Sequence, residues 1–279
     1  MPARHLEGKT PAAAILKKLS RVAEKSGARL AIVQVGEHPA SEAYVARKLT
    51  AAAKINLPAV HVRIRGDAGF DATLSCLHEL SADESITGII LQLPLPKQLQ
   101  KHKRQLLDAI DPLKDVDGLS AINLGKLLAG DDTGLRPATP TGIVELLDHY
   151  KIAIAGKRVV IVGRSILVGQ PLAALLTQRD ATVTVCHSKT KTLASFTKQA
   201  DILICAVGRP HLFKPAMVKK GATCIDVGIT RQKSGIKGDI HPSVAKVAGA
   251  LTPVPGGVGP MTVACLLRNC VTAAERQAR

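Results

Sequence analysis

Aromatic side chains are scarce in this sequence. The 279 residues include no tryptophan, two tyrosines and three phenylalanines. Proteins that bind single-stranded nucleic acid stack bases on aromatic rings, so this scarcity argues against a base-stacking surface. The 38 lysines and arginines also greatly outnumber the 22 aspartates and glutamates, but they are spread along the chain rather than clustered. We therefore expect no nucleic acid as a partner, while the formal net charge of +16 favours smaller anions such as phosphorylated cofactors or polycarboxylates.

Long apolar runs and cysteine motifs are also missing. No apolar run approaches the length of a bilayer span, and the N-terminal MPARHLEGK has neither an apolar core nor a cleavage pattern. The six cysteines are scattered and form no CxxC or Cys/His cluster with metal-ligand spacing. We therefore expect a cytoplasmic protein with no metal site and no membrane partner, whose thiols are buried in a reducing compartment.

Short apolar runs alternate with helical patterns along the whole chain. They are rich in valine and isoleucine and apolar on both faces, which is typical of parallel strands covered by helices. The runs are RLAIVQV, AVHVRI, TGIILQL, KRVVIVG, ATVTVCH, DILICAVG and ATCIDVG. The predicted fold class is therefore α/β.

A segment dense in Asp, Gly and Pro, from DPLKDVDG to GLRPATPTG, separates the third of these runs from the fourth. Such a segment suits a domain junction, and we place the boundary near residue 139. Helix starts are predicted from capping residues: Thr10 followed by Pro11 for the first helix, and Ser41 for the helix that carries SEAYVARK.

The stretch KRVVIVGRSILVGQP reads as a strand, a tight turn at Gly163, a loop, and a helix from about Pro171. The N-terminus of such a helix offers free N–H groups to a pyrophosphate. The stretch is not a GxGxxG motif, and a strand, a glycine and a helix also occur in α/β proteins that bind nothing there.

The next strand indicates which dinucleotide would bind. An NAD site places a carboxylate at its end, but here the strand is followed by His187, Ser188, Lys189 and Thr190. Arg164 and Ser188, with Lys189, would instead pair with a 2′-phosphate, so the sequence favours NADP over NAD. An ordinary basic turn is the alternative interpretation of these residues.

Tyr44 and Lys48 are spaced to share one helix face. A lysine in a desolvated cleft can exchange protons near neutral pH, and a neighbouring phenol can orient it. A solvated Tyr–Lys pair, with the lysine stem lying on the ring, is the alternative.

Three further stretches are candidates for a binding site. Gln92 follows an apolar strand, at the carboxyl end where α/β ligand sites form. In KDVDG, Asp117 could accept paired hydrogen bonds from a heterocycle edge, or could simply belong to a turn before Gly118. TPVPGGVGPMT suits either a backbone-lined wall against a flat ligand or a structural turn, with a helix beginning near Thr262.

In this order and at these separations, the motifs YVARK, LQLPLP, KDVDG, GRSILVGQP, DVGI and PVPGGVGPMT resemble the bifunctional methylenetetrahydrofolate dehydrogenase/methenyltetrahydrofolate cyclohydrolase family, known as FolD in bacteria. The resemblance covers essentially the whole chain. It implies two α/β domains with a cleft between them: a substrate-binding domain, residues 1–138 completed by a C-terminal helix 262–279, and a Rossmann-like NADP domain, residues 139–261. It also implies a homodimer.

The resemblance further implies roles for individual residues. Lys48, Tyr44, Gln92 and Asp117 would be catalytic. The folate would contact these four together with Leu91, Leu93, Pro255, Gly256, Gly257, Val258 and Gly259. The NADP would contact Gly163, Arg164, Ser165, His187, Ser188 and Ile229. The high positive charge is compatible with a polyglutamylated folate.

The chain departs from the family pattern at Thr50, where the family often has a lysine, at Ala138 in PATP, and at GDIHP, residues 238–242. None of these positions belongs to the expected catalytic set. Three alternatives stay open: another NADP-dependent oxidoreductase with two domains, a member with only one of the two activities, or a basic nucleic-acid-binding protein on the same fold.

Overall fold

The computed structural model describes residues 3–232 and 235–278. The outer limits of the expected domains, residues 1 and 279, lie outside this range. The chain divides into two compact units, which we name by their sheets. The three-stranded unit comprises residues 13–138 and the C-terminal segment from Val263, and the six-stranded unit comprises the residues up to Ala12 together with Thr139–Thr262.

The strands of the three-stranded unit are β2 (Leu30–Val35), β3 (Ala59–Ile64) and β4 (Gly88–Leu91). All pairings are parallel, in the order β3-β2-β4. Every residue of β2 is buried, as expected for a central strand made of LAIVQV. The core of this unit combines Leu30, Ile32 and Ile90 of the sheet with Leu266 and Cys270 near the C-terminus.

The helices of the chain are α1 (Lys9–Leu19), α2 (Pro39–Ala53), α3 (Gly69–Ala82), α4 (Lys103–Asp108), α5 (Ala121–Ala129), α6 (Ala138–His149), α7 (Gly169–Thr177), α8 (Leu193–Thr197) and α9 (Val258–Gln277). The chain passes between the units within α1, α6 and α9. Within the described part of the chain, none of these helices is both long enough and apolar enough to cross a membrane.

The six-stranded unit contains β1 (Arg4–His5), β5 (Arg158–Val162), β6 (Thr182–Cys186), β7 (Ile202–Cys205), β8 (Thr223–Asp226) and β11 (Ala250–Leu251). Their order is β1-β11-β8-β7-β5-β6, and every pairing is parallel. A separate antiparallel pair is formed by β9 (Thr230–Gln232) and β10 (Gly235–Lys237). Parallel strands in this order confirm the predicted α/β class.

The unit boundary differs from the sequence-based expectation at the amino end. Residues up to Ala12 group with the six-stranded unit rather than with residues 13–138. The reason is β1, which pairs with β11 and so becomes the edge strand of the larger sheet. Two residues are too short for a hydrophobic pattern to reveal such a strand.

Predicted helix starts are wrong by a few residues. α2 begins at Pro39 with His38 as N-cap, so Ser41 lies inside the first turn, where it is buried. α1 begins at Lys9, ahead of Thr10, and α7 begins at Gly169 rather than Pro171. The C-terminal helix begins at Val258, four residues before Thr262. Proline is readily accommodated in a first helical turn, so it did not delay these starts.

All six cysteines are free, and five of them are buried. The sixth, Cys76 on α3, is half-buried. Burial raises the pKa of the Cys224 and Cys270 thiols to about 12 and that of Cys205 well above its ordinary range. These thiols therefore act as small apolar side chains, as the sequence predicted.

Candidate active site

The carboxyl end of β4 and the middle of α2 bring Lys48 and Gln92 together. Gln92 directly follows β4, and its backbone N–H donates to the Val33 carbonyl at 2.8 Å, which extends the pairing with β2. The Lys48 ammonium (Nζ) donates to the Gln92 amide oxygen (Oε1) at 3.1 Å. The two side chains are only 7 % and 8 % exposed, so this hydrogen bond lies in the protein interior.

The Gln92 amide is fixed in orientation. Its nitrogen (Nε2) donates to the Leu93 carbonyl at 2.7 Å, which leaves the oxygen to face Lys48. Of the two neighbours that were expected to contact a substrate, Leu91 is buried as the last residue of β4, while Leu93 is half-buried. The buried Lys48 amine is thus held by a neutral acceptor of fixed orientation.

Lys48 is coupled to Asp117. Burial lowers the pKa of the Lys48 ammonium, and the charge of Asp117 offsets part of that effect. Burial raises the pKa of the half-buried Asp117, while the charge of Lys48 lowers it and that of Asp115 raises it further. The structure therefore joins Lys48, Gln92 and Asp117 in one electrostatic group, at positions that the sequence singled out separately.

The two carboxylates of KDVDG have different surroundings. Asp115 is 2 % exposed and accepts hydrogen bonds from the Ser120 backbone N–H at 2.7 Å and the Asn123 side chain at 3.0 Å. It holds the loop. Asp117 also lies in a turn, closed by a 3.0 Å hydrogen bond from the Gly118 N–H to the Asp115 carbonyl. The turn that was the alternative interpretation is present, and it places Asp117 where its charge acts on Lys48.

Tyr44 is half-buried and stands one turn before Lys48 in α2. The guanidinium carbon of Arg47 lies 5.9 Å from the centre of its ring, which is within the range of a cation–π contact. Tyr44 and Lys48 therefore lie one turn apart on the same helix, as their spacing predicted, and Arg47 of the same turn contacts the Tyr44 ring.

In the six-stranded unit, the expected cofactor residues follow the carboxyl ends of three parallel strands, β5, β6 and β8. Gly163 follows β5, and its N–H donates to the Cys186 carbonyl at the end of β6 at 2.9 Å. Its φ of +131° suits glycine, and a side chain would meet the Ala206 carbonyl oxygen at 2.3 Å. Gly169 is equally restricted, because a Cβ there would lie 1.9 Å from the Gly163 oxygen. The strand, loop and helix therefore pack too closely for any other residue at these two positions.

The other expected cofactor residues lie in this loop or follow β6 and β8. Arg164, Ser165, Ser188 and Ile229 are exposed, and His187 is half-buried. The His187 N–H donates to the Thr190 hydroxyl at 2.9 Å, and the ring nitrogen Nδ1 accepts from the Lys189 N–H at 3.2 Å. These bonds form a basic turn at the end of β6, without a carboxylate, as expected where a 2′-phosphate binds.

Pro255–Gly259 belongs to the six-stranded unit and contains a tight turn. Gly256 has a φ of +111°, and the Gly257 N–H donates to the Pro253 carbonyl at 2.9 Å. The Gly256 carbonyl accepts from the Gly8 N–H at 2.9 Å. The last two residues, Val258 and Gly259, begin α9 rather than the loop. The segment thus contains a tight turn, and Pro255 is exposed.

Sequence reasoning missed two residues that hold these loops. Asn269 of α9 donates from its side chain to the Val116 carbonyl at 2.9 Å and to the Arg136 carbonyl at 2.8 Å, which secures the loop of Asp117. Asp239 is fully buried and binds the loop after β7. For Asn269 the available signal was a polar residue within the largely apolar stretch ACLLRNCV, whereas Asp239 lies in the polar stretch KGDIHP and carried no such signal.

Histidine, cysteine and acidic side chains nowhere gather in threes, as a metal site would need, within residues 3–232 and 235–278. The polar groups that do converge are a lysine, an amide and a carboxylate at one sheet edge, and a glycine-lined phosphate loop at another. Such groups suit proton transfer and dinucleotide binding.

Two family models match the chain. The tetrahydrofolate dehydrogenase/cyclohydrolase catalytic domain matches residues 6–117, and the NAD(P)-binding domain of the same family matches residues 137–278. Among curated relatives, a bifunctional protein FolD of Thermus thermophilus is 49 % identical over 245 residues, 88 % of this chain and 86 % of the relative. That of Lactobacillus gasseri is 45 % identical over 278 residues, 98 % of each chain.

Solved structures agree. The bifunctional FolD dehydrogenase/cyclohydrolase of Campylobacter jejuni superposes with a TM-score of 0.93 at 40 % identity, covering 98 % of this chain and 99 % of that one. The Trypanosoma brucei enzyme, solved with NADP and an inhibitor, gives 0.94 at 34 % identity over 100 % and 99 %. Shikimate dehydrogenase from Aquifex aeolicus, at 13 % identity and 0.56 over 90 % and 98 %, shares the fold alone. The resemblance seen in the motifs is confirmed, and the chain belongs to the tetrahydrofolate dehydrogenase/cyclohydrolase family.

Proposed function

We propose that this chain uses NADP to oxidise 5,10-methylenetetrahydrofolate to 5,10-methenyltetrahydrofolate and then hydrolyses that product to 10-formyltetrahydrofolate. The buried hydrogen bond between Lys48 and Gln92, beside Asp117, carries the proposal. Membership of the family supports both reactions, because its models match both halves of the chain.

Lys48 is the proton-transfer group of the hydrolysis. Water adds to the carbon of the methenyl cation, one C–N bond opens to give the formyl group, and a proton is released. A neutral amine can take that proton from the attacking water. Burial lowers the pKa of Lys48 and so increases its neutral fraction, while the bond to Gln92 sets the direction of Nζ.

Tyr44 and Asp117 complete the folate site in this proposal. Asp117 accepts hydrogen bonds from the N–H groups at the edge of the pterin ring, and Tyr44 shapes the surface beside Lys48. Leu91, Leu93 and Pro255–Gly259 contact the rest of the substrate. Tyr44 and Asp117 are half-buried, so a ligand can reach both side chains. Tyr44 stands one helical turn before Lys48, and the charge of Asp117 interacts with that of Lys48, which supports these roles.

Unlike the hydrolysis, the oxidation requires no side chain to transfer a proton. A hydride passes from the one-carbon bridge of the substrate to the nicotinamide ring of NADP, and the protein must mainly position the two. Gly163 and Ser165 form the pyrophosphate loop, Arg164 and Ser188 pair with the 2′-phosphate, and His187 and Ile229 contact the rest of the cofactor. The glycine-lined loop before α7 supports this assignment.

Two spectroscopic assays test the proposal. In the first, 5,10-methenyltetrahydrofolate is mixed with the protein without cofactor, and its chromophore should disappear faster than in a blank. In the second, 5,10-methylenetetrahydrofolate is mixed with NADP or NAD, and NADPH fluorescence should appear with a clear preference for NADP. Accumulation of the methenyl chromophore in the second assay would contradict the hydrolytic half, and absence of reduced cofactor would contradict the oxidative half.

Lys48→Ala is the first variant to make. It should lose at least about a hundredfold of the hydrolysis rate, because the proton acceptor is gone, while NADP binding is unchanged because the phosphate loop belongs to the other unit. Lys54→Ala removes an exposed lysine at the end of the same helix and should change neither property. Equal activity of the two variants would refute the role of Lys48.

We further propose that the protein is a cytoplasmic homodimer that accepts polyglutamylated folates. Six free cysteines fit a reducing compartment, and the excess of 38 basic over 22 acidic residues fits an anionic substrate tail. Light scattering of the purified protein measures the dimer, and a monomeric mass at micromolar concentration would contradict it.

A further inference from the structure

The loop after β7 is wrapped around a buried carboxylate. Asp239 is 0 % exposed, and three consecutive backbone N–H groups donate to it: Val207 at 2.7 Å and Gly208 at 3.1 Å to Oδ2, and Arg209 at 2.7 Å to Oδ1. Neither oxygen has an ion-pair partner among the described residues. The charge is therefore stabilised by the peptide groups of this loop.

The segment after β8 packs on the same carboxylate. A Cβ on Gly228 would lie 2.2 Å from the carboxyl carbon of Asp239 and 2.3 and 2.6 Å from its oxygens. Only glycine fits there. Asp239 thus contacts the backbone of both loops, and the residue after Gly228 is Ile229, one of the expected cofactor contacts.

A second buried carboxylate fixes Asp239 itself. Asp226, the last residue of β8, is 4 % exposed and accepts the backbone N–H groups of Gly228 at 3.1 Å, Asp239 at 2.9 Å and Ile240 at 2.9 Å. Gly238 packs so closely that a Cβ would lie 2.0 Å from Asp226 Oδ2. The position of Asp239 is therefore tied directly to the end of a sheet strand.

These loops lie at the same sheet edge as the phosphate loop. Strands β8, β7 and β5 are neighbours and parallel, so the segments that follow them share the carboxyl edge. The two loops pack directly against each other. A Cβ on Gly163 would lie only 2.3 Å from the carbonyl oxygen of Ala206, the residue just before the loop that surrounds Asp239. A shift of the loop after β7 would therefore displace Gly163.

We propose that Asp239 is a positioning residue for the dinucleotide: it holds the loops after β7 and β8 in the conformation that binds NADP, without touching the cofactor itself. The proposal rests on the proposed function and goes beyond it by assigning a role to the GDIHP segment, which carries none of the expected site residues. The loop geometry is set before the cofactor arrives, which reduces the ordering that binding must impose.

Asp239→Asn tests the proposal at nearly constant shape. The amide replaces one acceptor oxygen by a donor, so at least one of the three loop N–H groups loses its acceptor and faces an N–H₂ group. The dissociation constant of NADPH, measured by its fluorescence, should rise at least about tenfold. Hydrolysis of 5,10-methenyltetrahydrofolate without cofactor should stay within about twofold, because the proton-transfer group Lys48 and its neighbours Gln92 and Asp117 belong to the other unit.

Asp201→Asn is the matched control. Asp201 is a carboxylate of the same unit that accepts the Arg158 N–H at 2.9 Å and pairs with Lys219 at 2.6 Å, but it precedes β7 and so lies at the amino edge of the sheet. Its replacement should leave NADPH affinity unchanged. If Asp239→Asn also bound NADPH like the wild type, the positioning role would be refuted, whereas failure of the wild type to bind NADPH would refute the proposed function instead.

A measurement on the wild type covers the case in which Asp239→Asn does not fold. Hydrogen exchange of the Val207, Gly208 and Arg209 amides should be slow in the cofactor-free protein and change little when NADP is added. Fast exchange that becomes slow only with NADP would show that the cofactor, not Asp239, orders the loop. Gly228→Ala adds a methyl group that would collide with the Asp239 carboxylate, so it should also weaken NADPH binding. Normal NADPH affinity of this variant would overturn the proposal.

Discussion

At the scale of single residues, the coupling between Lys48 and Asp117 is the feature with the clearest consequences. Each charge favours the ionised state of the other, while burial disfavours both. Removing one partner therefore leaves the other with the full effect of burial. Gln92 does not change this balance of charges, because its amide is neutral. Its oxygen accepts a hydrogen bond from Lys48 Nζ at 3.1 Å and so fixes the position of the lysine.

We predict that Asp117→Asn lowers the pKa of Lys48 further and that Lys48→Met raises the pKa of Asp117 further. Both follow from the loss of the opposing charge. Titration by NMR of the labelled lysine amine and of the labelled carboxyl measures the two shifts. Lys54→Met is the control, and an unchanged Asp117 in Lys48→Met would show that the charges do not interact.

The lowered pKa of Lys48 also predicts how stability depends on pH. In the unfolded chain this lysine titrates near its ordinary value of 10.5, and in the folded chain at a lower pH. Between these two values the unfolded state binds more protons, so the unfolding free energy should rise with pH relative to Lys48→Met. The difference should level off above about pH 10.5. Urea unfolding of both proteins at several alkaline pH values measures it, and a difference that falls with pH would be inconsistent with a buried Lys48.

At the scale of elements, all seven apolar runs predicted as strands are strands, from β2 to β8. Strands β2, β4, β7 and β8 are buried at every position and leave a strong pattern, whereas the edge strands β3 and β6 are only partly buried. Helix starts were less predictable, since a serine such as Ser41 can cap a helix or lie within its first turn, and Pro39 favours the second arrangement here. Strands β1 and β11 have two residues each and no pattern to read.

The candidate site was predictable in part for the same reason. Gln92 stood out because it ends an apolar strand, and Lys48 because of its spacing from Tyr44. Asp239 did not stand out, because its partners are backbone N–H groups 30 or more residues away, and any residue except proline offers one. The roles of individual site residues remain predictions.

The loop that carries Asp117 depends on Gly118. Its φ is +68°, and a Cβ would lie 2.7 Å from the backbone of Arg136 and Pro137. Gly118→Ala should therefore cost at least about 2 kcal/mol of unfolding free energy and also weaken folate binding by moving Asp117. Gly130→Ala, at a φ of +73° with open space around it, should cost only about 1 kcal/mol. Equal costs in urea unfolding would show that the loop relaxes around the added methyl group.

At the scale of the whole molecule, the surplus of positive charge should be felt by an anionic substrate. We predict that folate with a polyglutamate tail binds more tightly than the monoglutamate at low ionic strength, because each added carboxylate is attracted by the net positive charge of the protein. The advantage should shrink as salt rises, since exposed charges are screened over about 8–10 Å at 0.1–0.15 M. Calorimetric titration with both substrates at three salt concentrations measures it, and equal affinity throughout would mean that the charge serves another purpose.

The buried cysteines allow unfolding of each unit to be followed by thiol labelling. A thiol reagent added to the folded protein meets one half-buried sulfur, Cys76, while the other five are enclosed in the two cores or in the strands that build them. Labelling beyond the first equivalent can then proceed only as fast as the chain exposes its interior. Mass spectrometry of the labelled peptides would time the opening of each unit separately, through Cys265 and Cys270 for one and Cys186, Cys205 and Cys224 for the other.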